Sequence, residues 1–219
     1  MTIAQRYQRL RDDIPGHVTI VAAAKTRTVD EVREAIDAGV TDLGENYVQE
    51  GLDTRSALGD AAGTVRWHLI GHLQSNKVNR ALEAFGIIQT LDSLKLARAV
   101  NKRAAQTVPV LMEINSGREP QKAGLLPEEA EEVIRQAATL ERIAIGGLMT
   151  MGPPSGNPEE ARPYFRQTKQ LFDHIASLDI PGVRMDNLSM GMSNAYGVAI
   201  EEGSTMVRLG TILFGERGA

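Results

Sequence analysis

One lysine stands directly after a run of apolar and β-branched residues near the amino terminus. Residues 18–24 read Val-Thr-Ile-Val-Ala-Ala-Ala, and Lys25 follows them. Lysine is seldom placed against apolar structure without a partner or a purpose, because its ammonium group is strongly hydrated. The pattern predicts a buried strand that brings one amine to its carboxyl end, where ligands bind in α/β proteins.

Two segments near the carboxyl terminus combine small residues with hydroxyl groups and an arginine. One is Ser189-Met-Gly-Met-Ser193 and the other is Arg208-Leu-Gly-Thr211. Ser193 is predicted to cap a short helix over 193–202, whose free N–H groups would favour an anion. Gly210 would permit close backbone approach and Thr211 would add a hydroxyl. Either segment alone is also typical of an ordinary cap or turn, but both together favour a phosphate site if they follow the last two strands of a barrel.

The elements that must position these residues alternate between strand and helix along the whole chain. Predicted strands begin near Val18, Asp42, Val65, Ile87, Val108, Ile143, Asp186 and Thr205. Strands that are apolar on both faces predict a parallel sheet covered by helices. The alternative, an open doubly wound sheet, would carry a glycine-rich turn after the first strand, and residues 25–28 contain no glycine. We therefore predict an α/β fold, one (β/α)8 TIM-type barrel domain over 1–219 with an extra amino-terminal helix.

In such a barrel the carboxyl ends of the strands share one face, which is where active sites lie. Residues at or near those ends are Lys25, Asn46, His68, Met149, Ser193, Arg208, Gly210 and Thr211. Strands one and eight become neighbours when the barrel closes, so Lys25 should lie near Arg208. An amine desolvated beside a cation is a nucleophile that forms Schiff bases. Together with a phosphate site, this pair suggests pyridoxal 5′-phosphate (PLP) as the cofactor, with its pyridine nitrogen facing Arg208.

The lysines also allow less specific roles. Lys25 could simply extend its ammonium group out of the barrel mouth into water. Lys77 opens a predicted helix, and Lys122 lies in a predicted loop that faces solvent, so both are weaker candidates for the Schiff base. The irregular segment 152–158 follows the sixth strand and is a candidate lid.

Composition limits the class of protein. Apolar residues make up 42% and charged residues 24% of the 219 residues, as in soluble globular chains. A net charge of −4 argues against nucleic acid or an anionic membrane as the main partner. The absence of cysteine, of a basic leader and of a membrane-length apolar run predicts a cytoplasmic protein without thiol chemistry. The four histidines are scattered, so no metal site is predicted.

Several short motifs that contain these candidate residues follow one another along the chain. They are Ala24-Lys-Thr26, Gly44-Glu-Asn-Tyr-Val-Gln-Glu50, Trp67-His-Leu-Ile-Gly-His-Leu-Gln-Ser-Asn-Lys77, Asp92-Ser93, Lys122-Ala-Gly124, Gly147-Leu-Met149, Leu188-Ser-Met-Gly-Met-Ser193 and Val207-Arg-Leu-Gly-Thr211 with Phe214-Gly-Glu-Arg217. Over nearly its whole length the chain resembles the pyridoxal phosphate homeostasis proteins, whose barrel is similar to the amino-terminal domain of bacterial alanine racemase. Ala24 and Leu43 depart from residues usual in that family, Ser and Phe, without removing a polar group that has a role here.

The resemblance implies how the site residues divide the work. Lys25 would carry the cofactor as a Schiff base and Asn46 would lie beside its ring. The phosphate would be held by Ser193, Gly210 and Thr211. Arg208 would face the pyridine nitrogen. Met149 and His68, from their places at predicted strand ends, are further candidates for the site.

The resemblance also implies binding of PLP for intracellular vitamin B6 homeostasis and not turnover. Racemisation needs bases on both faces of the substrate carbon, and in the alanine racemase fold the second base is a tyrosine from another domain, which we expect to be absent here. None of Tyr7, Tyr47, Tyr164 and Tyr196 is an evident second base, and Arg208 would keep the ring nitrogen unprotonated, a poorer electron sink. We expect a monomer without catalytic residues that hands PLP to apo forms of PLP-dependent enzymes. The alternatives are a weak PLP-dependent amino-acid racemase or related lyase, and a barrel for another phosphate ester.

Overall fold

A closed barrel of parallel strands forms the centre of the molecule. The computed structural model describes residues 1–152 and 156–216, and within them eight strands follow one another around the barrel in chain order. They are β1 (Thr19–Ala23), β2 (Asp42–Glu45), β3 (Arg66–Leu69), β4 (Ile87–Leu91), β5 (Val108–Ile114), β6 (Ile143–Thr150), β7 (Val183–Met192) and β8 (Met206–Leu209). β1 closes the ring by pairing with β8, with Val21 opposite Arg208. The predicted (β/α)8 barrel is confirmed.

Helices cover the outside of the barrel. They are α1 (Ile3–Asp13), α2 (Val29–Asp37), α3 (Val48–Leu58), α4 (Val78–Ala84), α5 (Leu94–Arg103), α6 (Pro127–Ala138), α7 (Arg162–Ser177), α8 (Tyr196–Glu201) and α9 (Thr211–Phe214). The extra amino-terminal helix is α1. Local sequence explains where several of them begin: Thr28 accepts from the N–H of Glu31 in a capping box, and Ser93 caps α5.

The inside of the barrel is part apolar and part polar. Val21, Leu111, Met149 and Met206 form a buried cluster that is separate from the large core between strands and helices. Buried polar side chains share this interior: Asp42, His68, Gln89, Ser189 and Arg208. Branched apolar residues usually dominate the inside of a small parallel barrel, so a polar interior calls for a physical reason.

β7 differs most from its prediction. The sequence pattern predicts a strand over 186–190, whereas β7 runs over Val183–Met192. Its first residues alternate between exposed and half-buried positions, so they lack the continuous apolar run by which the other strands are recognised. As a result the next helix also starts later than expected, at Tyr196.

Gly147 allows β6 and β7 to lie unusually close together. A Cβ atom at this position would lie 1.8 Å from the carbonyl oxygen of Asn187, and the backbone has φ +147°. No side chain fits such a contact. The register between the two strands shifts at this point, between Ile145 and Gly147.

Candidate functional site

One cavity at the carboxyl ends of the strands brings the main predicted residues together. It has a volume of about 330 Å³, within the usual range for small-ligand sites. Six of the eight predicted site residues line it: Lys25, Asn46, Ser193, Arg208, Gly210 and Thr211.

Lys25 lies two residues beyond the end of β1, in a tight turn. The N–H of Ala24 donates to the carbonyl of Gly44 on β2 (2.9 Å), and the N–H of Arg27 donates back to the carbonyl of Ala24 (2.8 Å). Thr26 completes the turn with φ +62°, a left-handed conformation that β-branched residues rarely adopt. The turn therefore holds the half-buried Lys25 side chain at the mouth of the barrel.

Tyr47 is a neighbour of Lys25 that sequence reasoning did not place in the site. The Lys25 ammonium nitrogen lies 5.5 Å from the centroid of the Tyr47 ring, within the range of a cation–π contact. Tyr47 immediately precedes α3 and is 52% exposed. The sequence feature that could have placed Tyr47 near the site is its position directly after Asn46, at the end of β2.

Arg208 points from β8 into the barrel and is almost fully buried, with 4% exposure. Its Nη1 donates to the carbonyl (3.0 Å) and hydroxyl (2.6 Å) of Ser189, and its Nη2 donates to the carbonyl of Thr150 (2.9 Å). Burial lowers the pKa of Arg208 to about 10, and the negative charge of Glu113 opposes this shift, so the group stays cationic at neutral pH. A guanidinium has five N–H donors, so at least two of them have no acceptor among the described residues.

The end of the cavity that the sequence predicts to hold an anion differs from the prediction in one respect. Ser193 is predicted to cap the helix that follows β7, but α8 begins with Ala195 at its N-cap and has no side-chain cap. Strand β7 extends to Met192, so Ser193 lies in the turn before the helix. Its hydroxyl oxygen instead accepts from the N–H groups of Gly210 (3.3 Å) and Ile212 (3.5 Å), at the start of α9.

Packing within the protein does not require glycine at position 210. A Cβ atom there would lie 3.5 Å from its nearest neighbour, the carbonyl oxygen of Ala23, which is an ordinary contact. Its backbone is also not left-handed, with φ −106°. The absence of a side chain at Gly210 leaves room beside the N–H groups.

Asn46 is held by the chain that leaves β3. A Cβ atom on Gly71 would lie 2.2 Å from the carbonyl oxygen of Asn46, so the two backbones touch. This contact fixes the end of β2 against the end of β3, and Asn46 lines the cavity from there.

His68 and Met149, also predicted for the site, do not line the cavity. His68 is completely buried in the barrel, with Nε2 2.9 Å from Asp42 Oδ1 and Nδ1 2.9 Å from Gln89 Nε2. Met149 belongs to the buried interior cluster. Both therefore lie within the barrel and outside the cavity lining.

The other lysines are separate from the cavity. Lys77 lies in a short 3-10 turn and lines a second cavity of about 340 Å³ beside Tyr47 and His72. Lys122 forms an ion pair with Glu119. Of the candidate lid at 152–158, residues 153–155 lie outside the described part of the chain. Gly152 and Asn157 line a small cavity of about 100 Å³ that Arg208 also lines.

Two buried carboxyl groups were not predicted. Burial, with the nearby charge of Asp92, raises the pKa of Glu113 to about 7 against the lowering effect of Arg208. Burial, with the charge of Glu50, raises the pKa of Glu45 to about 8. In each group, one oxygen has no hydrogen-bond partner among the described residues. Their only sequence signal is an acid inside a strand.

Large apolar side chains are exposed around the mouth of the cavity. Met151 and Met192 line it and are 39% and 44% exposed. The two side chains give the opening an apolar rim.

Neither a membrane span nor a metal cluster is found in the described ranges. No helix within 1–152 and 156–216 is both long enough and apolar enough to cross a membrane. The same residues include no group of three His, Cys, Asp or Glu side chains arranged to hold a metal ion.

Known proteins are similar to this chain in both sequence and fold. The model of the alanine racemase N-terminal domain family matches residues 1–218. The pyridoxal phosphate homeostasis protein of Aquifex aeolicus is 41% identical over 201 residues, which cover 90% of this chain and 86% of that protein. Its counterpart in Escherichia coli K12 is 38% identical, with 98% and 97% covered.

Solved structures agree with these relatives. PipY of Synechococcus elongatus with PLP bound superimposes with a TM-score of 0.89 at 33% identity, covering 98% of this chain and 100% of that one. Alanine racemase of Clostridium difficile shares the fold, with a TM-score of 0.79 at 18% identity. The chain therefore belongs to the alanine racemase N-terminal domain family and, within it, to the pyridoxal phosphate homeostasis proteins.

Proposed function

We propose that this protein binds PLP in the cavity at the carboxyl ends of its strands and takes part in PLP homeostasis. The observation that carries the proposal is that one cavity is lined by an amine, a buried cation with unused donors, and the small and hydroxyl residues 193, 210 and 211. The related proteins named for this role, and the PLP-bound PipY, support it.

The residues of the cavity fit the groups of this cofactor. PLP brings an aldehyde that condenses with amines, a pyridine nitrogen that accepts hydrogen bonds, and a phosphate. Lys25 supplies the amine for the covalent bond. Arg208 can only donate, so it suits an unprotonated ring nitrogen. The N–H groups of Gly210 and Ile212, which now donate to the Ser193 hydroxyl, are suited to an anion.

The remaining residues orient and hold the ligand. Asn46 is fixed by the close contact with Gly71 and offers an amide at the side of the cavity. Thr211 adds a hydroxyl beside the N–H groups of α9. Gly210 leaves space at the point where a phosphate oxygen would need to approach the backbone.

The arrangement favours holding the cofactor over amino-acid turnover. Racemisation needs a second base across the substrate carbon from Lys25. Tyr47 stands beside the Lys25 amine itself, on the same side. Tyr196 lines a different cavity, between α1 and α9. Arg208 would hold the ring nitrogen unprotonated, which weakens the ring as an electron sink.

The same proposal covers the setting of the protein. We propose that residues 1–219 form one PLP-binding domain, that the protein is cytoplasmic and monomeric, and that apo forms of PLP-dependent enzymes receive the cofactor from it. The single closed barrel supports one domain, and the small number of exposed apolar side chains supports a monomer. The lack of cysteine supports a cytoplasmic setting, and the homeostasis role named for the relatives supports transfer to apo enzymes.

The test is to locate the covalent adduct. The purified protein is mixed with PLP, reduced with sodium borohydride, digested and analysed by mass spectrometry. We expect a visible absorbance band before reduction and a pyridoxyl group on Lys25 after it. Lys25→Ala should lose both, whereas Lys77→Ala and Lys122→Ala should keep both. An adduct on another lysine alone would refute the assignment of Lys25.

A separate measurement distinguishes binding from turnover. Holo-protein is incubated with L- and D-alanine in deuterated water, and exchange at Cα is followed by NMR. We expect no exchange above that of free PLP. Enzyme-like exchange that is lost in Lys25→Ala would establish a racemase or related lyase instead.

A further inference from the structure

A continuous chain of hydrogen bonds crosses the inside of the barrel from Arg208 to Asp42. Arg208 donates to the Ser189 hydroxyl (2.6 Å), and this hydroxyl donates to Gln89 Oε1 (2.7 Å). Gln89 Nε2 lies 2.9 Å from His68 Nδ1, and His68 Nε2 lies 2.9 Å from Asp42 Oδ1. The five side chains come from five different strands: β2, β3, β4, β7 and β8.

The chemistry of these groups gives the chain one direction. Arg208 can only donate, so the Ser189 hydroxyl accepts from it and must pass its own proton to Gln89 Oε1. The Gln89 amide nitrogen can then only donate, which leaves His68 Nδ1 without a proton. The His68 proton lies on Nε2 and is donated to the Asp42 carboxylate. The chain is therefore complete only with a neutral His68.

Hydrogen bonds also keep Asp42 ionised at the far end. Burial alone would raise the pKa of Asp42, but the hydrogen bonds from His68 and Thr41 and the nearby charge of Arg66 act against burial, and the net effect lowers that pKa. Asp42 also pairs with Arg66 at 2.9 Å, and Arg66 is largely exposed. The chain thus ends on an anion that is stabilised from outside the barrel.

Packing alone does not account for this row of polar groups. Asp42, His68, Gln89 and Ser189 are each 0–1% exposed, in an interior that apolar residues could fill at lower desolvation cost. A buried polar network stabilises only when every member is satisfied, and then it fixes one geometry. The member that reaches the cavity is Arg208, and its orientation is what the network fixes.

We infer that Ser189, Gln89, His68 and Asp42 are positioning residues that hold the Arg208 guanidinium in place, so that its free N–H donors face the ligand. The inference rests on the proposed function for the nature of the ligand, PLP. Ser189 and Thr150 hold the inner N–H groups, and the chain behind Ser189 prevents its hydroxyl from rotating away.

The first test needs no ligand. Long-range ¹H–¹⁵N NMR of the histidine rings in the ligand-free protein should show His68 as the neutral Nε2–H tautomer. Gln89→Leu should change this signal, while Thr168→Val should not. Thr168 is a matched control, because it is fully buried and loses one hydrogen bond, to Tyr164 on α7, outside the barrel. A His68 that is doubly protonated or an Nδ1–H tautomer would overturn the direction of the chain.

The second test follows the ligand. Ser189→Ala and Gln89→Leu should raise the dissociation constant for PLP by about tenfold, or about 1.4 kcal/mol, and shift the visible absorbance band. Ser189→Thr, which keeps the hydroxyl, should have the dissociation constant and the absorbance band of the wild type. In the wild type, PLP should also move the His68 ring signals, and in Gln89→Leu it should not.

The outcomes separate the two ideas. If the wild type fails to bind PLP, the proposed function is wrong, while the NMR of the ligand-free protein still tests the chain. If PLP binds equally well and with an unchanged absorbance band in Ser189→Ala and Gln89→Leu, the positioning role is refuted. Thermal unfolding shows whether each variant has folded. If Ser189→Ala or Gln89→Leu does not fold, the test rests on Ser189→Thr, which keeps the chain of hydrogen bonds. The positioning role then requires that Ser189→Thr bind PLP as the wild type does.

Discussion

Thr26 occupies a strained backbone conformation beside the lysine of the site. Its φ of +62° lies in the left-handed region, where a β-branched side chain crowds its own backbone. The turn is held on both sides by hydrogen bonds of Ala24 and Arg27, so the strain is maintained by the surrounding structure. The result is that the backbone of Lys25 is held at the mouth of the barrel.

We expect Thr26→Gly to stabilise the protein by about 0.5–1 kcal/mol, because glycine adopts this conformation without strain, although it gains entropy when unfolded. Urea unfolding measures the change. Thr28→Gly is the matched control and should destabilise, since Thr28 has φ −71° and caps α2. Equal effects of the two substitutions would contradict the assignment of strain to Thr26.

Glu45 is a buried carboxyl group whose charge the fold disfavours. Its pKa is about 8 in the folded protein against an ordinary value of 4.5, mainly because of burial. Between these values the folded state binds a proton that the unfolded state has lost. Stability from this group is therefore complete below pH 4.5 and falls as the pH rises to about 8.

Glu45→Gln should accordingly remove this part of the pH dependence. Compared with the wild type, the variant should gain stability as the pH rises, with a limiting slope of about 1.4 kcal/mol per pH unit within that window. Urea unfolding at several pH values from 5 to about 8 measures it. Glu128→Gln is the control, because Glu128 lies on the surface with a side chain 55% exposed. A parallel pair of curves for wild type and Glu45→Gln would contradict the prediction.

At the residue scale, the sequence predicted those cavity residues that lie at or just after the end of a strand. Lys25, Asn46, Arg208, Gly210 and Thr211 were predicted from their places at or after strand ends, and all five line the cavity. Contacts between distant segments were out of reach: the hydroxyl of Ser193 bonds to the start of α9, and not to the helix that follows it. His68 lies at a strand end in sequence but faces inward, and periodicity alone does not tell the mouth of a barrel from its interior.

At the scale of elements, the start of α9 and the turn after β7 form one unit. The Ser193 hydroxyl accepts from the N–H groups of Gly210 and Ile212, which ties the ends of β7 and β8 together beside the cavity. A phosphate would be bound by this unit, whereas the aldehyde and ring of PLP would be held elsewhere, at Lys25, Asn46 and Arg208. Binding of the two parts of the ligand should therefore be separable.

Ser193→Ala should weaken PLP binding by about tenfold and leave binding of pyridoxal, which lacks the phosphate, nearly unchanged. We expect the loss to be confined to the phosphate, because the Ser193 hydroxyl lies beside the N–H groups of Gly210 and Ile212 that would hold it. Spectroscopic titration with both compounds measures it, and Ser193→Thr is the control that retains a hydroxyl. An equal loss for both compounds would mean that Ser193 supports the cavity as a whole.

The contact between β6 and β7 leaves no space for a side chain. Gly147→Ala would put a Cβ atom 1.8 Å from the carbonyl of Asn187, so we expect a loss on the order of 3–5 kcal/mol or failure to fold. Gly63→Ala is the control, because no atom lies within 4 Å of the added methyl group. Thermal unfolding compares them, and a Gly147→Ala protein as stable as Gly63→Ala would contradict the close approach.

The strands and helices themselves were largely predictable, because most strands are continuous apolar runs between clear breaks. β7 was the exception, and its half-exposed first residues are the reason. The close approach at Gly147 could not be predicted, since a Gly-Gly pair in a strand is equally typical of a bulge or a bend.

At the scale of the whole molecule, closure of the barrel creates the site. Pairing of β1 with β8 brings the first and last strands together and puts Lys25 and Arg208 in one cavity. The count of eight strand–helix units in a chain of this length was enough to predict closure. The polar interior was not predictable, because Asp42, Gln89 and Ser189 each look like a chance polar residue in an apolar strand.

We expect the protein to be a monomer in solution, with and without PLP. The exposed apolar side chains of the described chain are few, and two of them, Met151 and Met192, line the cavity. Light scattering coupled to gel filtration measures the mass, which should be near 23.8 kDa. A mass twice this value that persists on dilution would contradict the prediction.

The rim of the cavity is also the part of the site that is most open to oxidation. Met151 and Met192 expose their thioethers at the opening, and exposed methionine is oxidised to a polar, chiral sulfoxide. Air or peroxide would thus make the apolar rim of the cavity polar, while the buried Met149 and Met206 would stay reduced. Preparations exposed to an oxidant would then differ from fresh ones first at the entrance of the cavity, while the interior is unchanged.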